Sequence, residues 1–195
     1  MNSDHERLCA SPEWAAHLRS QILTPLVAGV ELGAEMLELG PGPGAATDWL
    51  RQRVRVLTAL ELDAGAARRL ERRYAATNVT VVVGDCANTT FEDESFDSVA
   101  TFTMLHHLPS SQLQRATLAE AFRVLRPGGV LIGSDSIASN DLHDFHADDT
   151  YNPIDPARLL VHLQSLGFDR ITLSLDEVVK FVASKAGVPD APPTT

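Results

Sequence analysis

Residues 35–45 read Glu-Met-Leu-Glu-Leu-Gly-Pro-Gly-Pro-Gly-Ala, and this stretch decides the fold. Its first five residues form a short, mostly apolar run that predicts a strand. The glycines that follow, Gly40, Gly42 and Gly44, permit positive φ angles and let a ligand come close to the backbone. A strand that ends in such a loop is typical of the ligand-binding turn of open α/β sheets.

Outward from this turn, the sequence alternates between apolar strands and amphipathic helices. We predict strands at residues 35–39, 54–60, 79–83, 96–102 and 130–133, and helices at 45–52, after Asp63, at 111–125 and at 156–166. Two last strands, 168–175 and 178–183, are close enough to form a hairpin. Strands separated by helices require crossover connections, which favour a parallel sheet. The sequence therefore predicts an α/β fold with a doubly wound, mainly parallel seven-stranded sheet and an antiparallel C-terminal strand.

The length of 195 residues favours one domain. We expect residues 1–34 to form a helical segment that covers the ligand edge, with Ser11 as the cap of its helix. Residues 35–186 then form the ligand-binding domain. The final residues, 187–195, contain three prolines without an apolar period, which is typical of a flexible tail.

Composition excludes some classes of partner. The formal net charge of −10 disfavours a nucleic-acid backbone, and Arg68, Arg69, Arg72 and Arg73 are interpreted as a solvated helix face. No apolar stretch approaches the roughly 20 residues of a membrane span. Two cysteines without a signal peptide are typical of a cytoplasmic protein. The oligomeric state is left open.

The glycine loop is compatible with two kinds of ligand. Gly40, Gly42 and Ala45 fit the G-x-G-x-x-A fingerprint of dinucleotide-binding proteins, and Glu61 lies where that fingerprint has an acid for the ribose. This pattern supports an NAD(P)-dependent oxidoreductase.

Two features of the same loop argue against a pyrophosphate. Pro41 and Pro43 each remove a backbone N–H donor, and the Glu38 carboxylate would repel the phosphates. S-adenosylmethionine has a sulfonium, an ammonium and an adenosine but no phosphate, so it suits an acidic loop better.

At these residues the sequence resembles the class I S-adenosylmethionine-dependent methyltransferases. Glu38-x-Gly40-x-Gly42-x-Gly44 is similar to the E/D-x-G-x-G-x-G first motif of that family. The resemblance extends over residues 36–183 through four further motifs: Gly84-Asp85-Cys86, Phe96-Asp97-Ser98-Val99, Leu105-His106-His107-Leu108 and Val124-Leu125-Arg126-Pro127-Gly128-Gly129. It implies a Rossmann-like methyltransferase fold.

The resemblance also implies roles for individual residues. Glu61 would bind both ribose hydroxyls, Leu62 would lie beside the adenine, and Asp85 would accept from the adenine amino group. Cys86 would pack in the adenine pocket rather than react as a thiol. The implied cofactor-binding set is Glu38, Gly40, Gly42, Gly44, Glu61, Leu62, Asp85, Cys86 and Thr101. Glu61 and Cys86 depart from the commoner Asp and Ala.

His106 and His107 follow the fourth strand, where cofactor and acceptor would meet. Either imidazole could take a proton from the acceptor as a general base. The alternatives are a structural imidazole or a backbone contact to the methionine ammonium. Since methyl transfer is an in-line displacement, positioning alone can supply much of the acceleration.

Residues 141–151 are expected to form a polar lid over the acceptor pocket, with Met104, Phe145 and Tyr151 lining that pocket. The acids and histidines at 141–149 could in principle hold a metal ion, but their spacing matches no closed site. We predict no metal.

The expected function is methyl transfer from S-adenosylmethionine, leaving S-adenosylhomocysteine, to a small-molecule acceptor of unknown identity. Thr101-Phe102-Thr103-Met104 stands where amino-directed nucleic-acid methyltransferases have N-P-P-Y or D-P-P-Y. The alternatives are an NAD(P)-dependent oxidoreductase, for which a Tyr-x-x-x-Lys pair is missing, and a non-catalytic S-adenosylmethionine-binding protein.

Overall fold

A seven-stranded sheet runs through the computed structural model, which describes residues 7–139 and 149–187. Its strands are β1 (Glu35–Leu39), β2 (Val56–Glu61), β3 (Val79–Val83), β4 (Phe96–Phe102), β5 (Leu125–Ser136), β6 (Phe168–Leu175) and β7 (Val178–Lys185). They lie in the order β3-β2-β1-β4-β5-β7-β6, and β7 is antiparallel to both of its neighbours. The predicted fold class is confirmed.

Helices cover both faces of this sheet. They are α1 (Pro12–His17), α2 (Thr24–Leu26), α3 (Thr47–Leu50), α4 (Ala64–Arg73), α5 (Ser111–Val124) and α6 (Pro156–Leu166). A π-helical turn, Leu18–Leu23, joins α1 to α2, and a 3₁₀ turn, Leu105–His107, follows β4. No helix within residues 7–139 or 149–187 is long and apolar enough to cross a membrane.

Alternate residues of the strands pack into two separate hydrophobic cores. Leu37 of β1 packs in a cluster with α5 and α6, whereas its neighbour Met36 packs in a cluster with the N-terminal helices and α3. This alternation follows from the two-residue period of a strand. The sheet is therefore a rigid platform, and its strand ends are positioned from both sides.

The N-terminal helices pack onto the sheet as part of the second cluster. Ser11 caps α1 by accepting a hydrogen bond from the Trp14 N–H, as predicted. Ile22 and Leu23 are buried in the π-helical turn, and Lys180 Nζ of β7 donates to the Gln21 carbonyl at 3.2 Å. Coverage of the ligand edge by residues 1–34 stays a prediction.

Several elements differ from their predicted bounds: β2 begins at Val56 instead of 54, β7 continues to Lys185 instead of 183, and the largest differences are in α3 and β5. The helix expected at residues 45–52 is only α3, because the turns of the glycine loop continue through Ala46. Strand β5 extends to Ser136, beyond the predicted end at 133, and it begins before a bulge at residues 126–129. Gly128, with φ +82°, turns the backbone within that bulge.

Candidate active site at the carboxyl edge of the sheet

The glycine loop, the turn after β3 and the histidine turn after β4 meet at one edge of the sheet. The other two predicted motifs, residues 96–99 and 124–129, lie at the opposite edge, where Asp97 accepts from the Ala34 and Glu35 N–H groups and pairs with Arg126. Because β1 to β4 are parallel, the residues that follow each strand lie side by side. Gly40 N–H donates to the Leu60 carbonyl at 3.0 Å, and Gly84 N–H donates to the Glu61 carbonyl at 3.0 Å. The chain order reverses between β1 and β4, which is where ligands bind in open α/β sheets.

The glycine loop needs glycine for two different reasons. Gly40 has φ +64°, and a Cβ at this position would lie 2.3 Å from Met104 Cγ. Gly42 has φ +54°, but a Cβ there would meet nothing within 4 Å. Gly40 therefore permits close packing of the turn after β4, whereas Gly42 presents an open stretch of backbone that a ligand can approach.

The end of α4 holds the glycine loop in place. The Tyr74 hydroxyl lies 3.1 Å from both the Gly44 carbonyl oxygen and Asp48 Oδ1. Arg73 donates to the Pro43 carbonyl at 2.6 Å and forms an ion pair with Asp48. Arg73 is exposed, as predicted for a solvated helix face, and it also contacts a loop 30 residues earlier in the chain, which the sequence did not indicate.

Glu38 is a buried acid directly beneath this loop. Its side chain is 2 % exposed, and Oε2 accepts a hydrogen bond from the Thr47 hydroxyl at 2.6 Å. Burial raises the pKa of Glu38 to about 7, the Thr47 hydrogen bond opposes that rise, and the nearby Asp48 charge adds to it. A cationic ligand at this edge would favour the ionised carboxylate, so the site is suited to positive charge.

Glu61 and Leu62 form the part of the edge that follows β2. Glu61 Oε1 accepts from the Asp63 N–H at 3.0 Å, which orients the carboxylate at the strand end. Asp63 caps α4 through the Ala66 N–H, so helix capping does not require Glu61. Leu62 is 71 % exposed, so it belongs to the rim and not to the core.

Asp85 and Cys86 form the turn after β3. Asp85 is exposed, and its Oδ1 accepts from the Ala87 N–H at 2.8 Å. Cys86 packs against the core, with Sγ 3.5 Å from the Thr117 hydroxyl oxygen. Burial raises the pKa of Cys86, which disfavours the reactive thiolate and supports its interpretation as a packing residue.

Thr101 and Met104 lie on the β4 side of the loop. Thr101 is 1 % exposed inside the sheet, and its hydroxyl has no hydrogen-bond partner in the part of the chain that the structure describes. Met104 is buried against Gly40, after Thr103 has turned the backbone with φ +50°. Contact of Thr101 and Met104 with ligands stays a prediction.

His106 forms a buried pair with an acid that the sequence analysis missed. Asp135, near the end of β5, is fully buried, and its Oδ1 lies 2.6 Å from His106 Nδ1. The other oxygen, Oδ2, accepts from the Met104 N–H at 3.1 Å and the Leu105 N–H at 2.7 Å. Asp135 thus joins the ends of β4 and β5 beside the glycine loop. A signal was present in Ser134-Asp135-Ser136, a polar run directly after an apolar strand.

His107 and Tyr151 surround this pair. The His106 ring centroid lies 4.1 Å from that of His107 and 6.0 Å from that of Tyr151, which meets it edge-on. The Tyr151 hydroxyl donates to the Ile137 carbonyl at 3.2 Å, and burial raises its pKa. Tyr151 therefore lies next to His106, whose other ring neighbour is His107.

Of the predicted lid, residues 141–151, the structure describes only residues 149–151. Phe145 and the rest of 141–148 lie outside the described residues, so their expected place over the acceptor stays a prediction. Within 7–139 and 149–187, no group of three His, Cys, Asp or Glu side chains could hold a metal ion.

A family model described as a methyltransferase domain matches residues 37–133, about half of the chain. This range contains the glycine loop, Glu61, the turn after β3 and both histidines. The chain belongs to the class I S-adenosylmethionine-dependent methyltransferase family. This membership argues against the NAD(P)-dependent oxidoreductase that the glycine spacing left open.

Two curated relatives have lipid-related names. A phthiotriol/phenolphthiotriol dimycocerosates methyltransferase of Mycobacterium ulcerans is 35% identical over 128 residues, which is 64% of this chain and 46% of that protein. A fatty-acid O-methyltransferase of Mycolicibacterium smegmatis is 31% identical over 115 residues, covering 58% and 41%. This methyltransferase chain thus spans less than half of the length of these curated relatives.

A solved structure shares the fold. Phosphoethanolamine N-methyltransferase 2 of Haemonchus contortus, in complex with S-adenosyl-L-methionine, superposes with a TM-score of 0.69 at 16% identity, covering 89% of this chain and 53% of that one.

Proposed function

We propose that this chain binds S-adenosylmethionine and transfers its methyl group to a small, lipid-like acceptor. The observation that carries the proposal is the buried Glu38 carboxylate beneath a loop of positive-φ glycines, in a member of this family. Burial of an acid is unfavourable when it ionises, and a cationic ligand offsets that penalty. A pyrophosphate would increase the penalty.

The residues of the edge fit the parts of S-adenosylmethionine. The open backbone at Gly42 suits the methionine portion, and Glu38 supplies negative charge below it. Glu61 can accept two hydrogen bonds from vicinal ribose hydroxyls, since a carboxylate has two acceptor oxygens. Leu62 and Cys86 offer apolar surface for the adenine, and Asp85 an acceptor for its amino group. Bound there, S-adenosylmethionine supplies a methyl carbon activated by a sulfonium.

The relatives and the side chains near the histidines favour a partly apolar acceptor. Both curated relatives are named for lipid-type substrates, and Met104 and Tyr151 provide apolar surface next to the histidines. The net charge of −10 disfavours a nucleic-acid acceptor. A partly apolar small molecule is consistent with all three observations.

Transfer of a labelled methyl group tests the proposal. The protein is incubated with methyl-labelled S-adenosylmethionine and, separately, long-chain alcohols, alkyl phenols, fatty acids, a DNA duplex and a protein mixture. We expect label in at least one lipid-like acceptor. Label in DNA or protein alone, or in no acceptor, would contradict the proposal.

Tyr151→Ala separates acceptor binding from cofactor binding. Because Tyr151 lies against His106 and outside the glycine loop, we expect lower acceptor turnover, with affinity for S-adenosylmethionine within about threefold, under ~1 kcal/mol. Loss of cofactor affinity with unchanged turnover at saturation would place Tyr151 in the cofactor site instead.

A further inference from the structure

Basic residues are concentrated in one segment of an otherwise acidic chain. Residues 48–73 contain seven of the sixteen Lys and Arg residues, all of them arginines, but only four of the twenty-six acids. This segment therefore carries a formal charge of +3, whereas the rest of the chain carries −13. A local excess of positive charge in a chain of net charge −10 indicates a surface that attracts an anionic partner.

Helix α4 presents much of this charge on its outer side. Its inner side is buried at Ala67 and Leu70. Arg68 and Arg72 lie one helical turn apart, and both are exposed, as is Arg69. A partner that recognises the apolar side of an amphipathic helix finds that side already buried, so the partner that fits α4 is one that recognises positive charge.

The basic surface continues from α4 to the end of α3. Asp48 Oδ1 lies 3.9 Å from Arg51 Nε, and the other carboxylate oxygen of Asp48 pairs with Arg73. The acids beside this surface are Asp48, Asp63 and Glu71, so arginines outnumber them. We call this surface the arginine face, and it consists of Arg51, Arg68, Arg69, Arg72 and Arg73.

The arginine face reaches the ligand edge of the sheet. A Cβ on Gly65 would lie 3.9 Å from Arg68 Nη2 and 3.6 Å from Arg69 Nη1, so both guanidinium groups lie against the first turn of α4. Two exposed apolar side chains are at the same end: Leu62, 71 % exposed, precedes the helix, and Val83, 53 % exposed, ends the neighbouring strand β3. Basic groups beside exposed apolar side chains are typical of surfaces that bind lipid headgroups.

We propose that the arginine face docks the protein on an anionic lipid surface, with α4 along the headgroups and the ligand edge beside them. Lipid phosphates supply the complementary charge, and a guanidinium group can bind a phosphate through two parallel hydrogen bonds. The choice of a lipid surface over another polyanion rests on the proposed lipid-like acceptor, because such a molecule dissolves in membranes. Docking at this face brings the cofactor edge to the acceptor.

Sedimentation with vesicles tests the proposal. Wild-type protein is mixed with vesicles of phosphatidylcholine alone, and with vesicles of phosphatidylcholine and phosphatidylglycerol in equal parts. Cofactor and acceptor are omitted, so the result does not depend on methyl transfer. We expect the partition coefficient to be at least roughly tenfold higher for the acidic vesicles at about 0.05 M NaCl. It should fall steeply towards about 0.5 M NaCl, because salt screens exposed charges.

The double variant Arg68→Gln/Arg72→Gln tests the arginine face itself. Both side chains are exposed, and Arg73, which holds the glycine loop, is left intact. We expect the partition coefficient on acidic vesicles to fall on the order of tenfold or more. The matched control is Arg158→Gln/Arg170→Gln, which makes the same change in net charge on α6 and β6, at the other end of the strand order. Its partition should stay within about twofold of the wild type, and thermal unfolding checks that both variants are folded.

Three results with vesicles would overturn the inference: no partition at low salt, equal partition onto both kinds of vesicle, or equal losses in the two double variants. A DNA duplex is titrated in the same buffer as a second polyanion. Binding of the duplex without partition onto acidic vesicles would assign the arginine face to nucleic acid, and would also overturn the inference. The proposed function fails on a separate result, the absence of labelled methyl transfer to any lipid-like acceptor.

Discussion

Glu61 is the residue that we propose binds the ribose of the cofactor. It ends β2 at the ligand edge, with its carboxylate oriented by the Asp63 N–H. We predict that Glu61→Ala weakens binding of S-adenosylhomocysteine by about 1.5–3 kcal/mol, the range for lost hydrogen bonds to a charged group. Isothermal titration calorimetry measures this change.

Glu71→Ala is the control for that titration, since Glu71 is exposed on α4 and away from the strand ends. Its affinity should equal that of the wild type. Equal affinities for Glu61→Ala and the wild type, in folded protein, would remove Glu61 from the site.

Glu38 makes the stability of the protein depend on pH. Its pKa is about 7 in the folded protein and near 4.5 when exposed, so the unfolded chain ionises first as pH rises. The contribution of Glu38 to the free energy of unfolding therefore falls between about pH 4.5 and 7, by about 3 kcal/mol in total. Below pH 4.5 this loss is absent.

Glu38→Gln removes this titration. We predict that the variant loses that part of the pH dependence, measured by urea unfolding at pH 5 and pH 8, and that it binds S-adenosylmethionine more weakly. Identical pH profiles for variant and wild type would show that Glu38 is not strained by burial. Unchanged affinity would show that its charge does not serve the ligand.

At the scale of the elements, the glycine loop allows a matched comparison of two substitutions. Gly40→Ala and Gly42→Ala both place a Cβ at positive φ, but only the first meets Met104. We predict that Gly42→Ala lowers the free energy of unfolding by about 1 kcal/mol. Gly40→Ala should lower it by roughly 1–3 kcal/mol more, because Met104 must move. Equal losses in urea unfolding would contradict the close packing.

The strands were predictable because apolar runs and turn residues are local signals. β1, β3, β4 and the hairpin strands begin where the sequence predicts. The end of β5 was missed because Ser134, Asp135 and Ser136 are polar and resemble a loop, whereas folding buries them. Their burial depends on partners that the sequence does not place nearby.

The candidate site likewise contains residues that the sequence indicated and contacts that it did not. The glycines, Glu38 and Glu61 were singled out by their spacing together with the resemblance to the methyltransferase family. The clamp of Tyr74 and Arg73 on the loop, and the pairing of His106 with Asp135, join residues about 30 positions apart. Such pairs become visible only when the order of the strands is known.

For the whole molecule, the sheet order explains why the glycine loop, Glu61, the turn after β3 and the histidine turn share one edge. The glycine loop after β1 and the histidine turn after β4 flank the reversal in strand order, and the two cores hold the sheet rigid beneath them. The edge is acidic at Glu38, Glu61 and Asp85. We propose that this edge selects an adenosine ligand with cationic character over a pyrophosphate.

Calorimetric titration of the wild type with S-adenosylhomocysteine and with NAD, in the same buffer, measures this selectivity. We expect a dissociation constant in the micromolar range for S-adenosylhomocysteine, on the order of −8 kcal/mol, and no measurable binding of NAD. Micromolar binding of NAD without binding of S-adenosylhomocysteine would contradict it.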